Sequence, residues 1–142
     1  MLLHDTLKPY RLILASQSPR RRQLLSDCGL EYELAERYEV EEIFPATMEA
    51  DEVPVYLSRL KSEGYPAELA ENDILLTADT VVIVDNQILG KPTDEDDARA
   101  MLRTLSARAH RVTTGVTLRS RTRSESFVSC FILYLYIFSK QL

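Results

Sequence analysis

The sequence predicts an α/β protein, a mixed β-sheet with flanking helices, because apolar strand segments alternate with amphipathic helices along most of the chain. The residues from Leu12 to Ala15 form a short apolar run that leads directly into a capped helix. A second run, from Ile74 to Val84, is nearly continuously apolar and is typical of a buried strand. With 142 residues, of which 45% are hydrophobic, the chain is long enough for one domain with a real core.

The charge of the chain narrows the class of partner. A net charge of −5 and a pI near 5.1 argue against an extended surface for a phosphate backbone. A basic cluster in this acidic setting therefore indicates a small anionic ligand, and we expect no nucleic acid polymer as a partner.

Cysteine use and the apolar segments predict a cytoplasmic protein. Cys28 and Cys130 have no metal-ligand spacing and form no evident disulfide framework, and Cys28 is expected in the core. The first residues mix acidic and basic side chains around an apolar run that is too short for an export signal. The apolar run at residues 127–138 would span only about 18 Å as a helix, against roughly 30 Å for a bilayer core, so we expect no membrane partner.

The helix after the first strand has an unusual first turn. Ser18 is a good N-cap, Pro19 suits the first helical position and Gly29 can end the helix. Arginines fill positions 20–22, where exposed N–H groups already favour negative charge. A phosphate group would satisfy these arginines together with the hydroxyls of Ser16 and Ser18. The alternative is a solvated basic helix face.

The next segment combines a strand pattern with an acidic loop. Apolar and acidic residues alternate from Leu30 to Leu34, which predicts a half-buried strand that pairs in a sheet. Four glutamates follow before Phe44: Glu36, Glu39, Glu41 and Glu42. Such a run is usually a solvated surface, but one of these carboxylates could hold a metal ion.

An amphipathic helix is predicted from Val53 to Tyr65, ended by Gly64 and Pro66. Lys61 lies one residue after its apolar stripe. Its ammonium can either reach a pocket or simply extend into solvent while its stem lies along the core edge.

The long apolar run contains one acidic residue, Asp79, followed by Thr80. Burying an unpaired carboxylate costs several kcal/mol, so Asp79 must pair, bind metal, become protonated or lie where the strand meets a site. A structural aspartate at a strand kink is the alternative. A turn at residues 85–87 and a short return strand at Ile88–Leu89 then place Lys91 at a strand end.

The rest of the chain predicts a helix, a strand and a distinct tail. Thr93 is the expected N-cap of a helix, and the acidic first turn, which suits the helix dipole, is assigned no chemistry. His110 lies in the following link and is more often structural than catalytic in such a place. A strand is predicted from Val112 to Leu118. We divide the chain into a domain at 1–120 and a basic linker with an apolar tail at 121–142, the tail being either a buried strand or an aggregation-prone one.

Four blocks of this sequence resemble the Maf family of nucleoside triphosphate pyrophosphatases. The first is S-x-S-P-R-R-x-x-L-L at residues 16–25, and the second is A-D-T-V-V at residues 78–82. The others are L-G-K-P at residues 89–92 and H-R-V-T-T-G-V at residues 110–116. Their order and spacing make the resemblance specific, and it implies a Maf/ITPase-like fold.

The resemblance implies a reaction and a set of site residues. Members hydrolyse a nucleoside triphosphate to the monophosphate and pyrophosphate with a divalent cation, Mg²⁺ or Mn²⁺, and often pair as homodimers. Asp79 matches the proposed proton acceptor, and it would share the metal with Glu41 or Glu42, a choice the alignment leaves open. The phosphate-binding positions fall on five residues: Ser16, Arg20, Arg21, Lys61 and Lys91. An arginine at position 20 and a threonine at position 80 are similar to the branch that acts on dTTP and UTP.

The resemblance covers Leu12 to Leu118 and then stops. Members of the family continue with blocks that this chain lacks, so we expect a fold without much of the family's C-terminal half. Three hypotheses follow: an active dTTP/UTP pyrophosphatase, a nucleotide-binding or cell-division regulatory protein without turnover, and an inert misfolded fragment.

Overall fold

The computed structural model describes residues 2–106 and 108–135 and contains one six-stranded mixed sheet. Its strands are β1 Arg11–Leu14, β2 Glu33–Leu34, β3 Asp73–Val84, β4 Gln87–Leu89, β5 Arg108–Arg119 and β6 Ser124–Leu135. Its helices are α1 Leu3–Leu7, α2 Pro19–Asp27, α3 Val53–Glu63 and α4 Glu95–Leu105, with a 3₁₀ turn at Ala50–Glu52. The strand order is β2-β1-β3-β5-β6, and β4 pairs with β3.

The sheet is mixed as predicted. Strand β1 runs parallel to β2 and β3, whereas β4 and β5 pair antiparallel with β3 and β6 pairs antiparallel with β5. Strand β3 therefore has paired neighbours along its whole length, as expected for a strand inside the sheet.

The core lies mainly under α3. Val53 and Leu57 of this helix pack with Val81 and Ile83 of β3, and all four are buried. Gly115 of β5 permits the contact, because a Cβ atom there would collide with the backbone of Pro54. A glycine at this position lets the start of α3 lie directly on the sheet.

Buried hydroxyl groups fix how α3 lies along the sheet. Thr77 donates to the carbonyl oxygen of Ser58 at 2.7 Å, and the hydroxyls of Ser58 and Thr117 are 2.7 Å apart. All three residues are at most 1% exposed. Because buried polar groups without partners are costly, this network favours a single position of the helix.

Several predicted elements are confirmed at their ends. Ser18 caps α2, Gly29 follows it with a φ of 71°, and Gly64 ends α3. The return strand β4 follows a turn in which Asp85 and Asn86 adopt positive φ angles.

Three local predictions were wrong. Asp94, not Thr93, caps α4, because its Oδ1 accepts the Asp97 N–H at 2.7 Å. His110 lies inside β5 and not in a link, because the strand begins at Arg108. Cys28 is exposed and not in the core, because α2 buries none of its residues.

The strand at β2 is shorter and more exposed than its pattern predicts. Only Glu33 and Leu34 pair with β1, and Leu34 is 51% exposed. Strand β2 forms one edge of the described sheet.

The described part of the tail forms a strand with largely exposed apolar side chains. Residues 120–123 make the turn of a hairpin, and β6 pairs with β5 along its full length. Five of its large apolar side chains are 48–67% exposed: Phe127, Val128, Phe131, Ile132 and Leu133. These exposures fit the second alternative for the tail, a strand that the described residues leave uncovered. Residues 136–138 of the predicted run lie outside the described residues. The division of the chain at residue 120 stays a prediction.

Within the described part of the chain, none of the helices has the length and apolar character that crossing a membrane requires.

Candidate active site

A cavity of about 650 Å³ opens beside the carboxyl end of β1 and the middle of β3. Four segments line it: the link at residues 15–18, the first turn of α2, the acidic loop at residues 36–42, and the part of β3 around Asp79. Helix α3 contributes Lys61, and the chain after β4 contributes Lys91. The cavity therefore collects residues that are far apart in the sequence.

The start of α2 is organised by two serines. The N–H of Ser18 donates to Ser16 Oγ at 3.2 Å, and Ser18 Oγ accepts the N–H of Arg21 at 3.4 Å. This is the capping arrangement that the sequence predicts, and it presents the positive end of the helix dipole to the cavity.

Arg21 ties α2 to β3. One guanidinium nitrogen is 3.2 Å from Ser16 Oγ and 3.2 Å from the Ala78 carbonyl oxygen, and the other is 3.1 Å from Thr80 Oγ1. Burial lowers the pKa of Arg21, and the charge of Asp79 partly offsets this effect. An arginine stays protonated in proteins, so Arg21 supplies a fixed positive charge next to Asp79.

Lys61 lies between two carboxylates. Its Nζ is 2.7 Å from Asp79 Oδ1 and 2.7 Å from Glu42 Oε1. The side chains of Lys61 and Asp79 are only 23% and 16% exposed. Of the possibilities open to Asp79 in an apolar strand, the structure therefore shows an ion pair at the wall of a cavity.

The two carboxylates also determine the protonation state of Lys61. Burial by itself lowers the pKa of the ammonium, but hydrogen bonds and attraction from Asp79 and Glu42 outweigh it. The pKa of Lys61 is therefore raised, and the side chain is a cation at neutral pH.

Thr80 and Lys91 complete the predicted set that reaches the cavity. Thr80 Oγ1 lies 2.9 Å from Thr114 Oγ1 of the neighbouring strand, besides its contact with Arg21. Lys91 is exposed at the wall of the cavity, where its ammonium can move toward an anion.

Two predicted site residues do not line the cavity. Arg20 is exposed on the first turn of α2, on a different side from Arg21. Of the two glutamates left open, Glu42 faces the cavity and bonds to Lys61, whereas Glu41 does not line it.

No sequence pattern predicts that Tyr38 belongs to the site. Tyr38 lines the cavity, and its hydroxyl donates to the carbonyl oxygen of Lys61 at 2.6 Å. Its ring meets that of Tyr65 edge to face at 5.8 Å, and burial raises the pKa of the Tyr38 hydroxyl. A single tyrosine in an acidic loop follows no pattern that predicts such a contact.

The donor set suits a hard divalent cation. Among the described residues, no group of three or more His, Cys, Asp and Glu side chains converges on one point. Asp79 and Glu42 do converge on the Lys61 ammonium, which shows that both carboxylates can approach one positive charge. A magnesium ion needs only one or two protein carboxylates when phosphate oxygens supply further ligands.

Comparison with solved structures identifies the class of fold. The chain resembles the crystal structure of the nucleoside-triphosphatase / dITP/XTP pyrophosphatase from Mycobacterium abscessus with a TM-score of 0.53. The likeness covers 86% of this chain and 72% of that one at 16% identity, and it concerns the fold alone. The mixed sheet with flanking helices is thus of the predicted ITPase-like class.

Sequence comparison identifies the family. The model for Maf-like protein matches residues 11–141, so the chain belongs to the Maf family. It is 45% identical over 134 residues to a dTTP/UTP pyrophosphatase of Porphyromonas gingivalis, covering 93% of this chain and 67% of that protein. It is 42% identical over 123 residues to a dTTP/UTP pyrophosphatase of Phocaeicola vulgatus, covering 87% and 64%.

The chain thus spans about two thirds of the length of these relatives. The family match also includes residues 121–141, which lie beyond the four blocks of the resemblance. The expectation that the likeness stops near Leu118 was therefore wrong.

Proposed function

We propose that this protein hydrolyses nucleoside triphosphates of the dTTP and UTP type to the monophosphate and pyrophosphate. The observation that carries the proposal is the position of Asp79, a carboxylate in an apolar strand that faces a cavity with Arg21, Lys61 and Lys91. A triphosphate brings several negative charges, and these three cations offer it compensating charge in one place.

The cations and α2 would bind the phosphate chain. Lys61 and Lys91 have side chains long enough to turn toward phosphate oxygens, and the Ser16 hydroxyl and the N-terminus of α2 add neutral donors. Arg21 is held by Ser16, Ala78 and Thr80, so it would contribute fixed charge and the remaining N–H groups of its fork.

Asp79 would accept a proton from the attacking water. Its Oδ1 is bonded to Lys61, so a substrate that draws the ammonium toward a phosphate would free the carboxylate for this task.

Asp79 and Glu42 would hold the divalent cation. When bound, Mg²⁺ or Mn²⁺ would supply positive charge that offsets the charge developing on the leaving pyrophosphate. We place Glu42 and not Glu41 in this role, because Glu42 is the one that reaches Lys61.

The choice of dTTP and UTP rests on the relatives. Proteins 37–45% identical to this chain are named dTTP/UTP pyrophosphatases, and Thr80 lies in the cavity where the resemblance expects a residue of that branch. The homodimer and the cytoplasmic location stay predictions.

The test is release of pyrophosphate from dTTP and UTP with Mg²⁺ or Mn²⁺. Asp79→Asn keeps the size of the side chain but removes its basicity, so we expect turnover to fall by at least about 100-fold. Asp96→Asn is the matched control, because Asp96 is exposed on α4 and does not line the cavity. If both variants release pyrophosphate at the rate of the parent, the proposed role of Asp79 is wrong.

The second candidate is a protein that binds nucleotides without turnover. The hydrogen bond from Lys61 to Asp79 Oδ1 favours this candidate, because it engages the carboxylate that would have to accept a proton in catalysis. Tight binding of dTTP with no pyrophosphate from the parent chain would establish this second function.

A further inference from the structure

The last turn of α3 is joined to the acidic loop by two contacts that involve no charge. The Tyr38 hydroxyl donates to the backbone carbonyl oxygen of Lys61 at 2.6 Å. Gly64 lies so close to the loop that a Cβ atom there would meet Val40 Cγ2 at 2.6 Å. The loop is thus docked on the helix end by one hydrogen bond and by close packing.

The helix end is in turn fixed to the sheet. Arg119 of β5 donates to Ser62 Oγ at 2.9 Å and to the Ser62 carbonyl oxygen at 2.8 Å. Ser62 is 1% exposed, so these bonds are shielded from water. The backbone to which Tyr38 donates its hydrogen bond is therefore held in place against β5.

This docking decides where Glu42 lies. Glu42 follows Tyr38 by four residues in the same loop, and its carboxylate lies 2.7 Å from the Lys61 ammonium. Asp79 approaches the same ammonium from the strand. A shift of the loop would change the separation of the two carboxylates without touching either of them.

We propose that Tyr38 is a positioning residue, which holds Glu42 opposite Asp79 and thereby sets the affinity of the cavity for a divalent cation. The inference deepens the proposed function and rests on it for the role of the cation. Tyr38 acts through the loop backbone, and its hydroxyl needs no contact with the cation or with the nucleotide.

The first test measures Mn²⁺ binding by electron paramagnetic resonance on the full chain, which requires no turnover. Tyr38→Phe keeps the ring and removes the hydrogen bond to Lys61, so we expect Mn²⁺ affinity to fall by about threefold to tenfold. Tyr65→Phe is the matched control, because it removes a hydroxyl from the partner ring and leaves the bond of Tyr38 in place. Its Mn²⁺ affinity should equal that of the parent.

The second test moves the loop by packing. Gly64→Ala places a methyl group against Val40, and we expect it to weaken Mn²⁺ binding as Tyr38→Phe does. Adding Val40→Ala makes room for the methyl group and should restore part of the lost affinity. Both results support positioning by the loop, and failure of the second substitution to restore binding would contradict it.

The outcomes separate this inference from the proposed function. Unchanged Mn²⁺ affinity in Tyr38→Phe, a loss equal to that in Tyr65→Phe, or no Mn²⁺ binding by the parent would overturn the inference. If the parent releases no pyrophosphate while Tyr38→Phe still lowers Mn²⁺ affinity, the inference stands and the enzyme proposal fails. In an active parent, we expect Tyr38→Phe to raise the Mn²⁺ concentration needed for half-maximal rate and to leave the rate at saturating Mn²⁺ within about twofold.

Discussion

The ammonium of Lys61 lies between the carboxylates of Asp79 and Glu42, which would repel each other without it. One lysine thus allows two acidic side chains to share the wall of a cavity that is partly shielded from water. In the proposed reaction, phosphate oxygens and a cation would replace these contacts. The same residue is therefore important both for stability and for function.

Replacing Lys61 should destabilise the fold in a pH-dependent way. We expect Lys61→Met to lower the free energy of unfolding by about 1–3 kcal/mol at pH 7, because two carboxylates lose their partner. The pKa of Lys61 is raised above its ordinary value of 10.5, so its contribution is fully present below that pH and is lost as the pH rises through the folded pKa. Urea unfolding of the parent and the variant between pH 7 and pH 11 measures the difference.

The control for this experiment is Lys8→Met, since the side chain of Lys8 is 78% exposed. Its effect should stay within about 0.5 kcal/mol. A loss in Lys61→Met that does not shrink at high pH would contradict the electrostatic explanation.

His110 gives a second prediction for a single residue. It is 8% exposed, and within the part of the chain that the structure describes its Nδ1 has no hydrogen-bond partner. A buried polar atom without a partner is costly, so His110→Leu should raise the free energy of unfolding by about 1 kcal/mol. Thermal unfolding followed by circular dichroism measures this change, and a clear decrease would show that the imidazole makes a favourable interaction.

Among the elements, α3 links the core to the site. Its first turn lies on Gly115, its middle bonds through Ser58 to the sheet, and its last turn carries Lys61. A displacement of α3 along β5 would therefore move Lys61 away from Asp79.

The contact at Gly115 should be sensitive to one methyl group. In Gly115→Ala the new Cβ would overlap the backbone of Pro54 and Val55, which cannot move as a flexible side chain can. We expect a loss of about 3 kcal/mol or more in the free energy of unfolding, and reduced nucleotide binding. Gly90→Ala is the control, because a Cβ there meets nothing within 4 Å.

These elements also show what the sequence can predict. The cap of α2 and the periodicity of α3 depend on neighbouring residues, so the pattern indicates both helices correctly. The exposure of β2 and β6 depends on what lies beyond the sheet, and no local pattern contains that information.

The residues of the candidate site also differ in whether a local sequence pattern can predict them. Asp79 stands out because burying an unpaired carboxylate in an apolar strand is costly, and Ser16 and Arg21 lie beside the N-cap Ser18 at a helix start rich in arginine. The choice between Glu41 and Glu42 and the role of Tyr38 depend on contacts across the fold. The bond from Tyr38 to Lys61 joins residues 23 positions apart.

On the scale of the whole molecule, the described sheet has a well-paired interior and exposed edge strands. Strand β3 lies in the interior, whereas β6 forms an edge with large exposed apolar side chains such as Phe131 and Ile132. Long apolar edge strands favour association with other chains.

This edge predicts concentration-dependent aggregation. Phe131→Lys places a charge on β6, and we expect light scattering on warming to fall severalfold relative to the parent. Thr122→Lys adds the same charge in the exposed hairpin turn and should have little effect. Equal suppression by both variants would attribute the effect to net charge and not to the strand.

In the proposed reaction, Asp79 and the cations around it form a site for cleaving a nucleoside triphosphate. Phosphorus NMR of dTTP incubated with the full chain and Mg²⁺ tests this role, because it identifies the products. We expect dTMP and pyrophosphate with the parent and intact dTTP with Asp79→Asn. Formation of a diphosphate and orthophosphate, or equal product from Asp79→Asn, would contradict it.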